Sequence, residues 1–172
     1  MKVRRSRDLT VLGVAFIVLA ADQMSKYWVR HNLMPGVPWD PVGWLRPILS
    51  LTYITNTGAS FGLFPQLGGF YALITAAVIA AILFFYRRLP ADGSVVFFSL
   101  GMQLGGALGN LFDRIWHGHV IDFVDLNFWP LHEWPIFNVS DSSVVVGACL
   151  LALYLLLEEG PATSTSGTDS AA

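Results

Sequence analysis

Five aspartates stand in or beside long apolar segments of this chain, and their side chains need a chemical explanation. Two asparagines, a lysine and an arginine accompany them, and the whole set is Asp22, Lys26, Asn110, Asp113, Arg114, Asp122, Asp125, Asn138 and Asp141. An ionisable group within or against a membrane costs several kcal/mol unless it is paired. Such a set therefore indicates a functional site, because acids in this setting serve either acid–base catalysis or proton transfer.

The composition places these acids in a membrane protein. Of 172 residues, 54% are hydrophobic and only 13% are charged, whereas a soluble domain carries roughly a quarter charged residues. Four segments approach the roughly 20 apolar residues that cross a bilayer. The fold class predicted is an all-α polytopic membrane protein, with transmembrane helices at about 9–28, 68–86, 94–114 and 139–157.

The charge and the cysteine content exclude other classes of protein. Ten basic and twelve acidic residues give a net charge of -2, which leaves no broad cationic face for nucleic acid. The single cysteine, Cys149, cannot form an internal disulfide, and we expect it to pack inside. No spacing typical of metal ligands links the loop residues His117, His119, His132 and Glu133. We therefore expect no nucleic-acid partner, no metal and no cofactor.

The four predicted helices form one domain, residues 1–159. Residues 160–172 are Gly, Pro, Ser, Thr and Ala with one acid, a composition that predicts a disordered tail. The basic N-terminus and the apolar run after it imitate a secretory signal. Because three more spans follow, we interpret the run as a retained first helix.

Basic residues in short loops predict the orientation, because such loops stay in the cytoplasm. They precede the first helix and separate the second from the third: Lys2, Arg4, Arg5, Arg7, Arg87 and Arg88. All six tryptophans fall at or between the opposite helix ends, where indole rings favour the membrane interface. Both termini are therefore predicted to be cytoplasmic, and the two long connections to lie outside.

The first outer connection contains a predicted β structure. Residues 48–55 are rich in β-branched and apolar side chains and are followed by Asn56-Thr57-Gly58, a turn sequence. One or two strands are expected there. They predict a small extracytoplasmic β-sheet and loop over the outer face.

The polar residues converge on one depth of the membrane. Asp22 lies thirteen residues after Leu9, or about 20 Å along a helix, and so in the outer half of the bilayer. Asn110, Asp113 and Arg114 end the third helix at that level, and Asn138 begins the fourth. The predicted site is therefore at the outer face.

Structural roles remain open for each of these residues. Asp22 and Lys26 have the spacing of a helical ion pair, and Asp141 is placed to favour a helix start. Asp113 with Arg114 could be solvated charges, and Asp125 a surface residue. The residues alone do not select a catalytic pair from the five acids.

Five blocks occur in order along the chain: Asp22-Gln23-x-x-Lys26, Asn56-Thr57-Gly58-Ala59-x-Phe61, Gly105-Gly106-Ala107-Leu108-Gly109-Asn110-x-x-Asp113-Arg114, Val120-x-Asp122-Phe123-x-Asp125 and Phe137-Asn138-x-x-Asp141. With these blocks the chain resembles bacterial lipoprotein signal peptidase, signal peptidase II, over residues 9–157. Two departures are visible, because Ser60 and Ser140 stand where that family usually has alanine.

The resemblance implies an intramembrane aspartic peptidase of the bacterial cytoplasmic (inner) membrane that is inhibited by globomycin. It would remove the signal peptide of diacylglyceryl-modified prolipoproteins just before the lipidated cysteine, with its active site toward the outer face. Its partners would be lipidated prolipoproteins and membrane lipid; the oligomeric state is not implied. The roles carried over are a catalytic pair, a supporting polar shell and a substrate-side or structural group: Asp122 and Asp141; Asn110, Asp113, Arg114 and Asn138; Asp22, Lys26, Asn56 and Gly58.

Two other functions are weighed against the peptidase. A small proton-coupled transporter also uses buried acids, but such proteins usually place them near the midplane and often contain inverted repeats. Here the charges gather at the outer end, and the sequence has no detectable repeat. A non-catalytic membrane binding module would tolerate replacement of the acids.

Overall fold

The computed structural model describes residues 2–58, 68–88 and 94–158. It contains the helices α1 (Lys2–Asn32), α2 (Gly68–Phe85), α3 (Ser94–His117) and α4 (Val139–Glu158), and the strands β1 (Pro38–Trp39), β2 (Leu49–Asn56) and β3 (Val120–Leu126). All four helices are long and apolar enough to cross a membrane. The predicted fold class, four membrane helices with a small sheet, is confirmed.

Helix α3 is the centre of the bundle, because it packs against α1, α2 and α4. Glycines make this close packing possible. A Cβ on Gly105 would lie 2.6 Å from the carbonyl oxygen of Ala15 in α1, and one on Gly106 would collide with that of Ser140 in α4. The glycine face of α3 thus allows α1 and α4 to pack closely against α3.

The helix surfaces that face away from the centre of the bundle are apolar, as lipid contact requires. Helix α2 buries only Ile79 among its residues, and Phe16 of α1 is 71% exposed. Cys149 is exposed on α4, so the expectation that it packs inside was wrong. An exposed apolar side chain on a membrane helix needs no protein neighbour.

The three strands form one antiparallel sheet in the order β1-β2-β3. Strand β2 is a single strand that ends at Asn56, where the turn was predicted. Strand β3 was not predicted, although its Val, Ile and Phe residues favour a strand. Its register pairs Ile54 with Asp122, and a bridge between Val124 and Phe137 ties β3 to the residues just before α4.

Two helices extend beyond their predicted bounds. Helix α1 begins at Lys2 and ends at Asn32, since lysine and arginine are good helix formers and continue the helix beyond the apolar span. Helix α3 continues to His117, and Gly118 follows with φ +77, the left-handed conformation that ends many helices. The predicted tail, residues 160–172, and Ser60 lie outside the described residues.

Candidate active site

Asp122 and Asp141 meet where strand β3 approaches the first turn of α4. Asn138 lies between them: its Nδ2 donates to Asp122 Oδ1 at 2.6 Å, and its backbone N–H donates to Asp141 Oδ2 at 3.3 Å. The backbone N–H of Asp141 donates in return to Asn138 Oδ1 at 2.9 Å. This reciprocal pattern caps the helix, so the start of α4 also fixes Asp141 beside Asp122.

The remaining carboxylate oxygens also accept hydrogen bonds from amides. Asn56 Nδ2 donates to Asp122 Oδ2 at 3.1 Å, and Asn110 Nδ2 donates to Asp141 Oδ1 at 2.7 Å. Gly58 supports this arrangement because its N–H donates to Asn56 Oδ1 at 2.9 Å, which turns the amide nitrogen toward Asp122. Within the described residues, neither acid of the pair forms a salt bridge.

Burial changes the acidity of Asp122, which stands on β3. Loss of solvent raises the pKa of Asp122 to about 6, and the negative charge of Asp141 adds to the rise. The amide hydrogen bonds from Asn56 and Asn138 oppose the rise. A carboxyl group in this state holds its proton to nearly neutral pH and can act as an acid.

Both acids line a cavity of about 420 Å³ that has a polar end and an apolar wall. The apolar wall includes Leu126, Val145 and Val146. Arg114 lines the polar end, where its Nη2 donates to the carbonyl oxygen of Gly58 at 3.3 Å. Its buried Nε has no hydrogen-bond partner within the described chain.

A second pair of aspartates, Asp22 and Asp113, lies behind the cavity and shares one lysine. Lys26 is 1% exposed, and its Nζ lies 2.8 Å from Asp22 Oδ2 and 2.9 Å from Asp113 Oδ2. The same Nζ donates to Asn110 Oδ1 at 3.1 Å. Because Lys26 occupies the oxygen of this amide, the amide nitrogen of Asn110 is left to face Asp141.

The rear aspartates also hold the backbone beside each acid of the cavity. Asp113 Oδ2 accepts the N–H of Ile121 at 3.1 Å, directly before Asp122. Asp22 Oδ1 accepts the N–H of Ser140 at 2.9 Å, directly before Asp141. The rear pair thus anchors both segments that carry the cavity acids.

The structure brings together all the residues for which the resemblance implied a role. Some of them line the cavity, and others lie behind it. Asp22, Lys26 and Asp113 do not line the cavity that holds Asp122 and Asp141, so their position favours a structural role. Asp125 points elsewhere, because its Oδ2 accepts the hydroxyl hydrogen of Thr52 at 2.7 Å. Residues at odd spacing on a strand face opposite sides, which explains why β3 separates Asp125 from the site.

Sequence reasoning assigned no role to Gln23, although it is part of the first block. Its Nε2 donates to Asp113 Oδ1 at 3.0 Å and to Asp22 Oδ2 at 3.1 Å. A polar residue beside Asp22 in an apolar helix was the only available signal. Ser140 is also buried, and its hydroxyl has no partner among the described residues.

Comparisons with known proteins agree with this geometry. A family model described as signal peptidase (SPase) II matches residues 14–157. A lipoprotein signal peptidase from Moorella thermoacetica is 42% identical over 149 residues, which cover 87% of this chain and 94% of the relative. One from Halothermothrix orenii is 40% identical over 146 residues, covering 85% and 94%.

A solved bacterial membrane enzyme has the same fold. Its TM-score is 0.78 at 27% identity, and the match covers 95% of this chain and 94% of the other. These matches favour a peptidase over the transporter and the binding module. The chain therefore belongs to the signal peptidase II family and is a multi-pass membrane protein and an aspartic endopeptidase.

Proposed function

We propose that this protein removes the signal peptide from diacylglyceryl-modified prolipoproteins, cutting just before the lipidated cysteine, with Asp122 and Asp141 as the catalytic pair. One observation carries the proposal: the buried Asp122 and the half-buried Asp141 lie at the polar end of a cavity whose other wall is apolar. A peptide bond next to a lipid anchor needs both environments. Lipoprotein signal peptidase is also the name of the relatives.

The pair activates water without a covalent intermediate. Two carboxyl groups in a poorly solvated site share one proton, because both do not ionise readily. The ionised member takes a proton from water as its oxygen attacks the scissile carbonyl carbon, while the other protonates the carbonyl oxygen. The tetrahedral intermediate then collapses, the C–N bond breaks, and a proton passes to the leaving nitrogen.

The polar shell orients the reacting groups. Amide donors from Asn56, Asn110 and Asn138 fix the carboxylate oxygens, which keeps the pair aligned before substrate binds. Arg114 lines the same cavity, and its positive charge there balances the negative charge of the pair. No metal or cofactor is required for these steps.

The substrate enters from the membrane. Its signal helix and diacylglyceryl chains lie in lipid, and the exposed apolar side chains Val145 and Val146 of α4 border the cavity on that side. Lateral diffusion then delivers the scissile bond to the two acids. The proposed location is the bacterial inner membrane, with both termini cytoplasmic and the site toward the outer face.

The test is cleavage of a lipidated precursor by purified protein in detergent, with mass spectrometry of both products. We expect a single cut before the modified cysteine, no cut in the matched unlipidated precursor, and inhibition by globomycin. A cut at another bond would contradict the proposed specificity. Loss of activity with a chelator, restored by added metal, would contradict the aspartic mechanism.

Reporter fusions test the orientation separately. Fusions after Tyr86 and at the C-terminus should report cytoplasm, and fusions in the two long connections should report the outer side. A cytoplasmic signal from either long connection would reverse the assignment.

A further inference from the structure

A second cavity, of about 270 Å³, opens between the outer ends of α1 and α3. Its charged wall residues are Lys26, Arg30 and Asp113, and Tyr27, Phe112, Trp116 and His117 are among the others. Among the described residues, it shares no wall residue with the active-site cavity. It is therefore a separate candidate site, and nothing in the proposed peptidase reaction uses it.

Arg30 places a guanidinium group in the wall of this cavity, and among the described residues no carboxylate forms a salt bridge with it. The other cation in the wall, Lys26, is offset by Asp22 and Asp113, whereas Arg30 pairs with no carboxylate in the part of the chain that the structure describes. Arg30 Nη1 lies 2.7 Å from His117 Nε2. This contact uses one of the five N–H donors of the guanidinium group.

The contact with His117 also holds Arg30 at a defined place. Arg30 lies one turn beyond Lys26 in α1, and His117 lies one turn beyond Asp113 in α3. The pair Arg30–His117 is therefore stacked outside the ion pair Lys26–Asp113, and both connect the same two helices. A ligand on Arg30 would extend this connection.

The rest of the opening is aromatic. The rings of Phe112 and Trp116 stack with centroids 5.9 Å apart, and Trp116 is 73% exposed. Phe112 precedes His117 by five residues, which places it about 7–8 Å deeper along α3. A charged donor group thus stands at the membrane surface, with an apolar surface directly below it.

We propose that this cavity binds an anionic phospholipid, with the phosphate on Arg30 beside His117 and an acyl chain against Phe112 and Trp116. Arginine donors match phosphate oxygens in a bidentate geometry. A free phosphate would use the charge but gain nothing from the aromatic surface. A lipid in this position stabilises the folded protein because it binds across α1 and α3.

The experiment uses the full chain in mixed micelles, titrated with dioleoylphosphatidylglycerol. Dioleoylphosphatidylcholine and inorganic phosphate are the other two ligands. Retained lipid is counted by native mass spectrometry, and the unfolding temperature is followed in parallel. For the wild type we expect tight phosphatidylglycerol binding, a raised unfolding temperature and weaker effects from the other two ligands.

Three variants make the result specific to Arg30. R30Q should weaken phosphatidylglycerol binding about fivefold or more. R30K should have a smaller effect because it keeps the charge. R46Q should match the wild type, since Arg46 already pairs with Asp40 at 3.4 Å. Arg30 is exposed and outside the active site, so R30Q should fold and retain peptidase activity in detergent.

Three outcomes would overturn the proposal. They are unchanged binding by R30Q, equal binding of phosphatidylcholine and phosphatidylglycerol, and an equal stabilisation by inorganic phosphate. The last result would show an anion site without a lipid preference.

Discussion

Two pairs of aspartates lie close together in this protein, the rear pair buried and the front pair buried or half-buried, and their surroundings differ. The rear pair, Asp22 and Asp113, shares the ammonium group of Lys26. The front pair, Asp122 and Asp141, faces a cavity, and its hydrogen-bond donors within the described residues are N–H groups of asparagines and backbone. A cation stabilises ionised carboxylates, whereas burial with neutral donors leaves a proton available.

In the proposed mechanism, one residue type supplies both a support and a catalyst. The rear acids accept hydrogen bonds from the N–H groups of Ile121 and Ser140 and so anchor the backbone there. The front acids follow those two residues directly in the chain. A change to the front pair should therefore affect rate, and a change to the rear pair should affect folding.

The largest effect is expected from the front pair. D122N and D141N are nearly isosteric, and each removes either the base or the acid, so each should lower the cleavage rate by about 10²–10⁴-fold. The double variant should be hardly slower than either single variant, because groups that act as a unit are not additive. The measurement is single-turnover cleavage of a lipidated precursor by purified protein.

Asp125 supplies the matched control, since it lies on the same strand but bonds to Thr52 instead. D125N should retain most activity. Near-wild-type cleavage by a correctly inserted D122N or D141N protein would remove that residue from the catalytic pair.

The second effect concerns the rear pair. K26M leaves two buried carboxylates without a cation, and breaking a buried ion pair costs about 3–5 kcal/mol. The variant should unfold at a much lower temperature and accumulate poorly in membranes. Thermal unfolding in detergent measures the change.

A double variant separates charge from packing. K26M/D113N keeps the cluster's net charge at that of the wild type, because one cation and one anion are removed together. It should recover part of the lost stability. If K26M is as stable as the wild type, Lys26 is not the counter-charge that distinguishes the two pairs.

The third effect is a pH dependence that comes from Asp122. The folded-state pKa of Asp122, about 6, is above the value near 3.9 of an unfolded chain. The folded state therefore binds more protons between pH 4 and 6, and stability falls as pH rises through that window. The fall should be about 1–3 kcal/mol at most.

D122N should lack this loss of folding stability between pH 4 and 6, because asparagine does not titrate. Unfolding temperatures of both proteins, measured from pH 4 to 7, give the comparison. Parallel curves would show that Asp122 keeps an ordinary acidity in the folded protein.

The sequence predicted the four apolar helices well, because apolar length is a local property. It did not predict β3, whose existence depends on pairing with the distant strand β2. The face that Asp122 presents depends on the register with Ile54, and no local pattern encodes that register. The i,i+4 spacing predicted the Asp22–Lys26 pair, but Asp113 joins it from another helix.

The choice of the catalytic pair from five acids came from the family resemblance. In the structure, two physical differences separate the acids: the position of the Lys26 ammonium and the lining of the cavity. Both depend on how three helices and a sheet meet. Neither is visible in the order of residues alone.

The smallest effect is expected at Ser140, which lies between the two pairs. Its N–H binds Asp22, but its buried hydroxyl has no partner among the described residues, and an unsatisfied buried polar group costs about 1–3 kcal/mol. S140A introduces alanine, the residue usual in this family. It should therefore raise the unfolding temperature slightly and leave cleavage unchanged. S143A is the matched control, since Ser143 donates to the carbonyl oxygen of Val139 at 2.8 Å and its loss should not stabilise. A lower unfolding temperature for S140A would show that the hydroxyl contributes to the contact between the rear pair and α4.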